Sequence, residues 1–110
     1  MATTKEGLVK NKVKKILKEN NAYFCMPVSG GFGASGVPDI IACYRGFFVG
    51  IECKAGKGKV TALQQKNLDD ISKAGGGAVV VNEANLEDIE VLLRAFDRAL
   101  INLDKLGERK

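Results

Sequence analysis

At 110 residues, with 45% apolar side chains and a net charge of +4, the chain suits one folded domain around one core. It has no histidine, and its three cysteines, Cys25, Cys43 and Cys53, are widely spaced without a CxxC pair, which argues against zinc sites and a disulfide framework and fits a reducing, cytoplasmic setting. No apolar run reaches transmembrane length and the N-terminus lacks a signal peptide's hydrophobic core, so no membrane partner is expected; the modest positive charge permits nucleic-acid binding without requiring it.

Residues 4–20 read as a basic amphipathic helix with Val9, Val13, Ile16 and Leu17 on one side and Lys10, Lys14, Lys15 and Lys18 over the other. Residues 22–28 read as a strand, ended by Pro27 and a glycine-rich loop over 29–36. Strands over 39–44 and 47–54 follow, and Arg45-Gly46 between them is the right length for a tight hairpin. A Gly/Lys connector, 55–60, leads to a second helix over 61–74, stopped by Gly75-Gly76-Gly77. Residues 78–82 form a short apolar strand, and a last helix begins near Asn85 with Leu86, Ile89, Leu92, Leu93, Phe96 and Leu100 inward. The order α-β-β-β-α-β-α predicts an α/β domain over residues 1–110 with a mixed sheet flanked by helices, and a tail over 104–110 that frays from Lys105. All three cysteines lie in apolar strand segments and are expected as buried thiols.

The hairpin carries the chemistry. If Tyr44 pairs with Phe47, then Ala42 faces Val49, Ile40 faces Ile51, and Asp39 faces Glu52. Opposed residues share a face with Cβ atoms about 4.5–5.5 Å apart. Alternation returns Lys54 to that face and turns Cys53 away from it. Two opposed acids repel unless a positive charge lies between them, and Mg²⁺ commonly uses one or two carboxylates with phosphate and water. Charged strand ends in water are the alternative, and a one-residue change of register would separate the pair.

Other residues leave two readings open. Winding the first helix at about 100° per residue puts Glu6 within roughly 20° of Val13 and Leu17, on the inward side. Glu6 is then either a third carboxylate of the site or the closing residue of a Thr3-x-x-Glu6 capping box. Gln64 either completes a capping box with Thr61 or points toward the lysine and a substrate phosphate. The loop at 29–36, with Ser29 and Gly30, lacks a P-loop's lysine; it is a flexible link or a place where a nucleic-acid backbone comes close. Lys57 and Lys59 suit phosphate positioning, and Lys10, Lys14 and Lys18 form a stripe that is either an extension of that footprint or a solvated face. Phe32, Phe47 and Phe48 offer apolar contact, with core burial the expectation for the last two.

Pro38-Asp39 followed by Glu52-Cys53-Lys54 resembles the PD-(D/E)XK nuclease signature. With Glu6 in the first helix, GVPDII at 36–41 and ECKAGKGKVTALQQ at 52–65, the chain is similar to a stand-alone VRR-NUC domain of phage or bacterial type over about residues 5–95. The bare Asp…Glu-x-Lys pattern is common by chance, but the Lys/Gly connector and the Thr-x-x-Gln helix start make it more specific.

The resemblance implies a restriction-endonuclease-like α-β-β-β-α-β core with an extra C-terminal helix, and metal-dependent hydrolysis of DNA. It implies that Asp39, Glu52, Glu6 and the backbone carbonyl of Cys53 hold Mg²⁺ or Mn²⁺, that Lys54 orients or helps deprotonate the attacking water, and that Gln64 has a site role. Many relatives carry an aliphatic residue where Cys53 stands, a departure that leaves the chemistry untouched if its thiol faces the core. Small stand-alone members resemble Holliday-junction resolvases, which act as homodimers, so branched DNA is the implied substrate; a phage-encoded member would work in the cytoplasm of its bacterial host. A monomeric nicking, flap or restriction-like endonuclease, or a DNA-binding module without hydrolysis, are the alternatives.

Overall fold

The computed structural model describes residues 4–28 and 35–106. Helix α1 (Lys5–Glu19) is capped by Thr4, whose Oγ1 accepts from the Gly7 N–H at 2.9 Å. It buries Val9, Val13 and Leu17 along one stripe. The helix ends in a left-handed residue, Asn21 at φ 59°, with the Ala22 N–H reaching the Leu17 carbonyl and the Asn21 N–H the Lys18 carbonyl. That is a Schellman ending with asparagine in the place glycine usually takes.

Strands β1 (Tyr23–Cys25), β2 (Ile40–Tyr44), β3 (Phe47–Cys53) and β4 (Gly77–Val81) form one sheet in the order β1-β2-β3-β4. The first three are antiparallel and β4 runs parallel to β3, reached through helix α2 (Ala62–Lys73). Helix α3 (Asp88–Leu106) completes an α/β domain that has, among the described residues, a mixed four-stranded sheet and three helices. The β2–β3 turn has Arg45 at φ 51° and Gly46 at φ 91°, both left-handed, as a two-residue turn matching the strands' twist requires. Tyr44 pairs with Phe47, Ala42 with Val49 and Ile40 with Ile51, the register expected from the turn length.

The sheet's two faces are covered unequally. Ile40, Ala42, Tyr44, Val49, Ile51, Cys53 and Val81 meet Val9, Val13 and Leu17 of α1 and Ile89 and Leu93 of α3 in the main core. Leu86, Leu92 and Phe96 pack around it, with Phe96 stacked on Phe47 at 4.2 Å between ring centroids. The other face carries α2 over β3 and β4, where Ile71 lies so close to Gly50 that an added Cβ would sit 2.6 Å from it. Among the described residues no helix covers this face over β1 and β2. Cys25 and Cys43 are therefore exposed, and only Cys53 is a buried thiol, contrary to the expectation for all three. Alternation along a strand assigns a residue to a face, but the width of the covering helix decides whether that face is dry. Phe48, on the same side, is 46% exposed rather than in the core, whereas Phe47 is partly buried.

Helix α3 starts three residues later than expected. Asn85 precedes it as a junction, accepting from the Asn82 N–H at 2.7 Å and donating to the Val80 carbonyl and the Asp88 carboxylate. At its far end α3 continues to Leu106, so Lys105 is helical rather than part of a frayed tail. Among the described residues no helix is long and apolar enough to cross a membrane.

Candidate active site

Asp39 is placed by the three residues before it. Gly36, at φ 78°, lets the chain press against α2, where an added Cβ would sit 2.7 Å from the Leu63 side chain. Asn67 holds this approach by donating to the Ser35 carbonyl at 3.3 Å. Pro38 is buried over Gly50, whose missing side chain makes room for its ring. Asp39 then stands one residue before β2, and its Oδ2 accepts from the Cys53 N–H at 2.9 Å. Ile40–Ile51 is the last pair of the ladder, and the next residue on each side of it, Asp39 and Glu52, bring two carboxyls close enough that Asp39 raises the Glu52 pKa.

Glu52 is only 1% exposed, the sole buried charged residue among those described. Its Oε1 receives Gln64 Nε2 at 3.5 Å, at the long limit for a hydrogen bond, and its Oε2 has no hydrogen-bond partner among the described residues. Burial, and then the neighbouring Asp39 carboxylate, push its pKa from 4.5 up to about 8; the Lys54 charge pulls the other way and Glu6 adds a further upward push. An acid this deep with an unpartnered oxygen is costly to a fold unless something else uses it.

Gln64 takes the capping reading, and its amide nitrogen reaches Glu52. Thr61 Oγ1 accepts from the Gln64 N–H at 3.1 Å and Gln64 Oε1 accepts from the Thr61 N–H at 2.9 Å, closing the capping box. The amide's other end is thereby aimed at Glu52. Glu6 is different: Thr4 is the N-cap, so Glu6 falls at the second helical position and closes no capping box, and Thr3 lies outside the described residues. The Glu6 side chain is 42% exposed and stands 3.9 Å from Lys10 Nζ.

Lys10 departs from the expected outward stripe. It reaches into the site, with Nζ 3.6 Å from Asp39 Oδ1 as well as 3.9 Å from Glu6 Oε1. The four-residue spacing from Glu6 is the signal that could have found it. Lys14, one turn further along α1, is half-buried. Lys54 follows the end of β3, half-buried, with its N–H bonded to the Val81 carbonyl at 2.9 Å. Lys57 and Lys59 are exposed on a connector that is shaped by Gly56 at φ 54° and tied to Glu83 Oε1 through the Gly56 N–H. Ser29, Gly30 and Phe32 lie outside the described residues. The Cys53 thiol is buried, and burial pushes it up to about 12, so it takes no part in the site.

Clefts open on both sides of the N-terminal half of α1. One, of about 80 Å³, lies beside Asp39 between Lys10, Met26 and Pro38; the other, of about 310 Å³, lies between Lys5, Leu8, Lys12 and Glu83. Among the described residues no three His, Cys, Asp or Glu side chains converge as a ready-made cage. The site instead offers two opposed carboxylates, one with a free buried oxygen, beside the peptide of Cys53. That oxygen-only donor set fits a hard divalent cation that keeps part of its water shell.

No protein-family model and no curated protein matches the chain. Fold and site together define an α/β protein whose sheet ends in two acids beside a lysine, one of them, Glu52, buried and incompletely satisfied among the described residues.

Proposed function

We propose that this chain is a divalent-metal-dependent DNA endonuclease with a restriction-endonuclease-like core, of the VRR-NUC type, acting on branched DNA such as four-way junctions. One observation carries the reading. Glu52 is buried beside Asp39, with its Oε2 unpartnered among the described residues and its acidity shifted by burial and by Asp39, just ahead of Lys54. Strongly perturbed acids beside a lysine are more often built for chemistry than for stability.

In this reading Asp39, Glu52 and the Cys53 carbonyl would hold Mg²⁺ or Mn²⁺, with Glu6 completing the set from α1. Such an ion, when bound, supplies an acidified water and positive charge beside the scissile phosphate. Gln64 keeps the Glu52 carboxylate turned toward Asp39. Lys54 orients the attacking water and offsets negative charge as the phosphorus becomes five-coordinate. Lys57, Lys59 and Lys14 contact phosphates and carry no sequence readout, which suits selection by DNA shape. A homodimer would set two such sites around a junction whose own form is close to two-fold. The apolar strip left open on β1 and β2, with Tyr23 75% exposed, supports a subunit contact there.

The test is cleavage of labelled four-way junctions, flaps, nicked and linear duplexes with Mg²⁺ or Mn²⁺, alongside Asp39→Ala and Lys54→Ala. Junction cleavage by the wild type alone is expected, with a solution mass of two chains. Intact substrates throughout, or equal cleavage by all three proteins, would sink the proposal.

A further inference from the structure

We propose that Lys10 is a resident counter-ion of Asp39 and Glu6, and that a divalent cation must displace its ammonium group from Asp39 to load. This rests on the metal reading of Asp39 and Glu52. Asp39, just before β2, stands beside Glu52 near the end of β3, and Glu6 of α1 shares Lys10 with Asp39. Lys54 faces Glu52; the Asp39 and Glu6 side is served by Lys10.

The geometry of that contact is informative. Lys10 Nζ stands 3.6 Å from Asp39 and 3.9 Å from Glu6, both beyond the 2.7–2.9 Å of a charge-assisted hydrogen bond. The ammonium group is shared between two carboxylates and tightly bound to neither. Elsewhere the chain makes short ion pairs, Lys66 with Asp70 at 2.9 Å and Arg45 with Asp97 at 2.8 Å, so the long distances are specific to this place. The Lys10 side chain keeps 28% of its surface exposed and borders the cleft lined by Met26, Pro27 and Val37, which gives it somewhere to move. A compact charge on a flexible stem suits this duty better than a rigid guanidinium fork.

Lys10 thus screens the repulsion of the acids while no metal is bound. It also opposes a second cation at Asp39, because like charges a few ångströms apart repel strongly in a partly buried site. Displaced outward along α1 toward Lys14, its charge becomes available to a substrate phosphate. Metal loading and the exposure of a phosphate-binding lysine are then one event.

The experiment is titration of Mn²⁺ and Mg²⁺ by calorimetry into the wild type, Lys10→Met and Lys10→Arg, with melting curves in chelator and at saturating metal. Removing the charge should tighten metal binding by about tenfold, with Lys10→Arg near the wild type. In chelator Lys10→Met should melt below the wild type, and saturating metal should close that gap. A lysine serving only structure would leave the gap equal in both conditions. Equal affinities in wild type and Lys10→Met, with binding still abolished by Glu52→Gln, overturn this inference alone. Absence of metal binding in every chain overturns the metal reading and this inference with it. Lys10→Gln, which keeps a donor to Asp39 while losing the charge, gives the same readings in a less perturbed chain.

Discussion

The two ends of the β2–β3 hairpin carry polar clusters of similar size and opposite character. At the turn, the Tyr44 hydroxyl donates to Asp97 Oδ1 at 2.9 Å, Arg45 donates to the same oxygen at 2.8 Å, and Arg94 pairs with Asp97 Oδ2 at 3.1 Å. Arg94 also donates to the Tyr44 hydroxyl and to Asn20 Oδ1, tying α3 to the end of α1. Arg45 and Tyr44 together hold the Asp97 carboxyl below its ordinary range, with the Arg45 hydrogen bond foremost. At the open end the acids meet each other before they meet a cation, an oxygen of Glu52 stays unpartnered, and its pKa stands near 8. A satisfied network locks elements together, whereas an unsatisfied one is tolerated where a ligand or a reaction needs it. The same two strands thus build a clasp at one end and the candidate site at the other.

Lys54→Ala and Asp39→Ala probe this contrast hardest. Each should lower junction cleavage by about 10²–10³-fold, the cost of losing one preorganised electrostatic group. Their folds should persist by circular dichroism. Retained activity in either would leave the open end no more functional than the turn.

The pH dependence of stability comes next. Between about 4.5 and about 8 the unfolded chain gives up the Glu52 proton while the folded chain keeps it, so the folded state binds more protons. Stability in chelator should therefore fall as pH rises through that window, and Glu52→Gln should flatten the fall. Identical melting profiles for the two proteins would show that Glu52 is not held protonated by its burial.

Gln64→Ala should weaken both ends of its side chain's work. Loss of the capping box should cost about 1 kcal/mol in a denaturant titration. Loss of the contact to Glu52 should lower cleavage by about tenfold, as for residues that orient metal ligands. A stability loss without any loss of rate would reduce Gln64 to a cap.

Tyr44→Phe is the smallest change and the control from the other end. It should cost about 1 kcal/mol for the lost hydroxyl and leave cleavage unaltered below the melting range. A fall in rate equal to that of Gln64→Ala would mean the clasp and the site are coupled along the hairpin.

Much of the candidate site's backbone frame is legible in the chain because its determinants are local. The two-residue turn and period-two alternation set Asp39 opposite Glu52, and Thr61-x-x-Gln64 announced the second helix start. What misled was equally specific. Lys10 looked like one of a row of solvent-facing lysines, because helical angle says nothing about how far a long side chain can bend toward an acid on another element. Glu6 pairs on paper with Thr3, whereas the helix is capped by Thr4, which leaves Glu6 beside Lys10.

By itself the sequence determined the order of elements, the hairpin register and the opposition of the two acids, since these follow from turn length, strand alternation and helix capping over short stretches of chain. Tertiary structure alone decided how deep Glu52 lies, which lysine answers Asp39, and that Cys25 and Cys43 face outward. Those outcomes depend on which half of the sheet α2 covers and where α1 crosses its end. Burial, and the altered acidity that follows from it, belong to the packed whole and not to any segment.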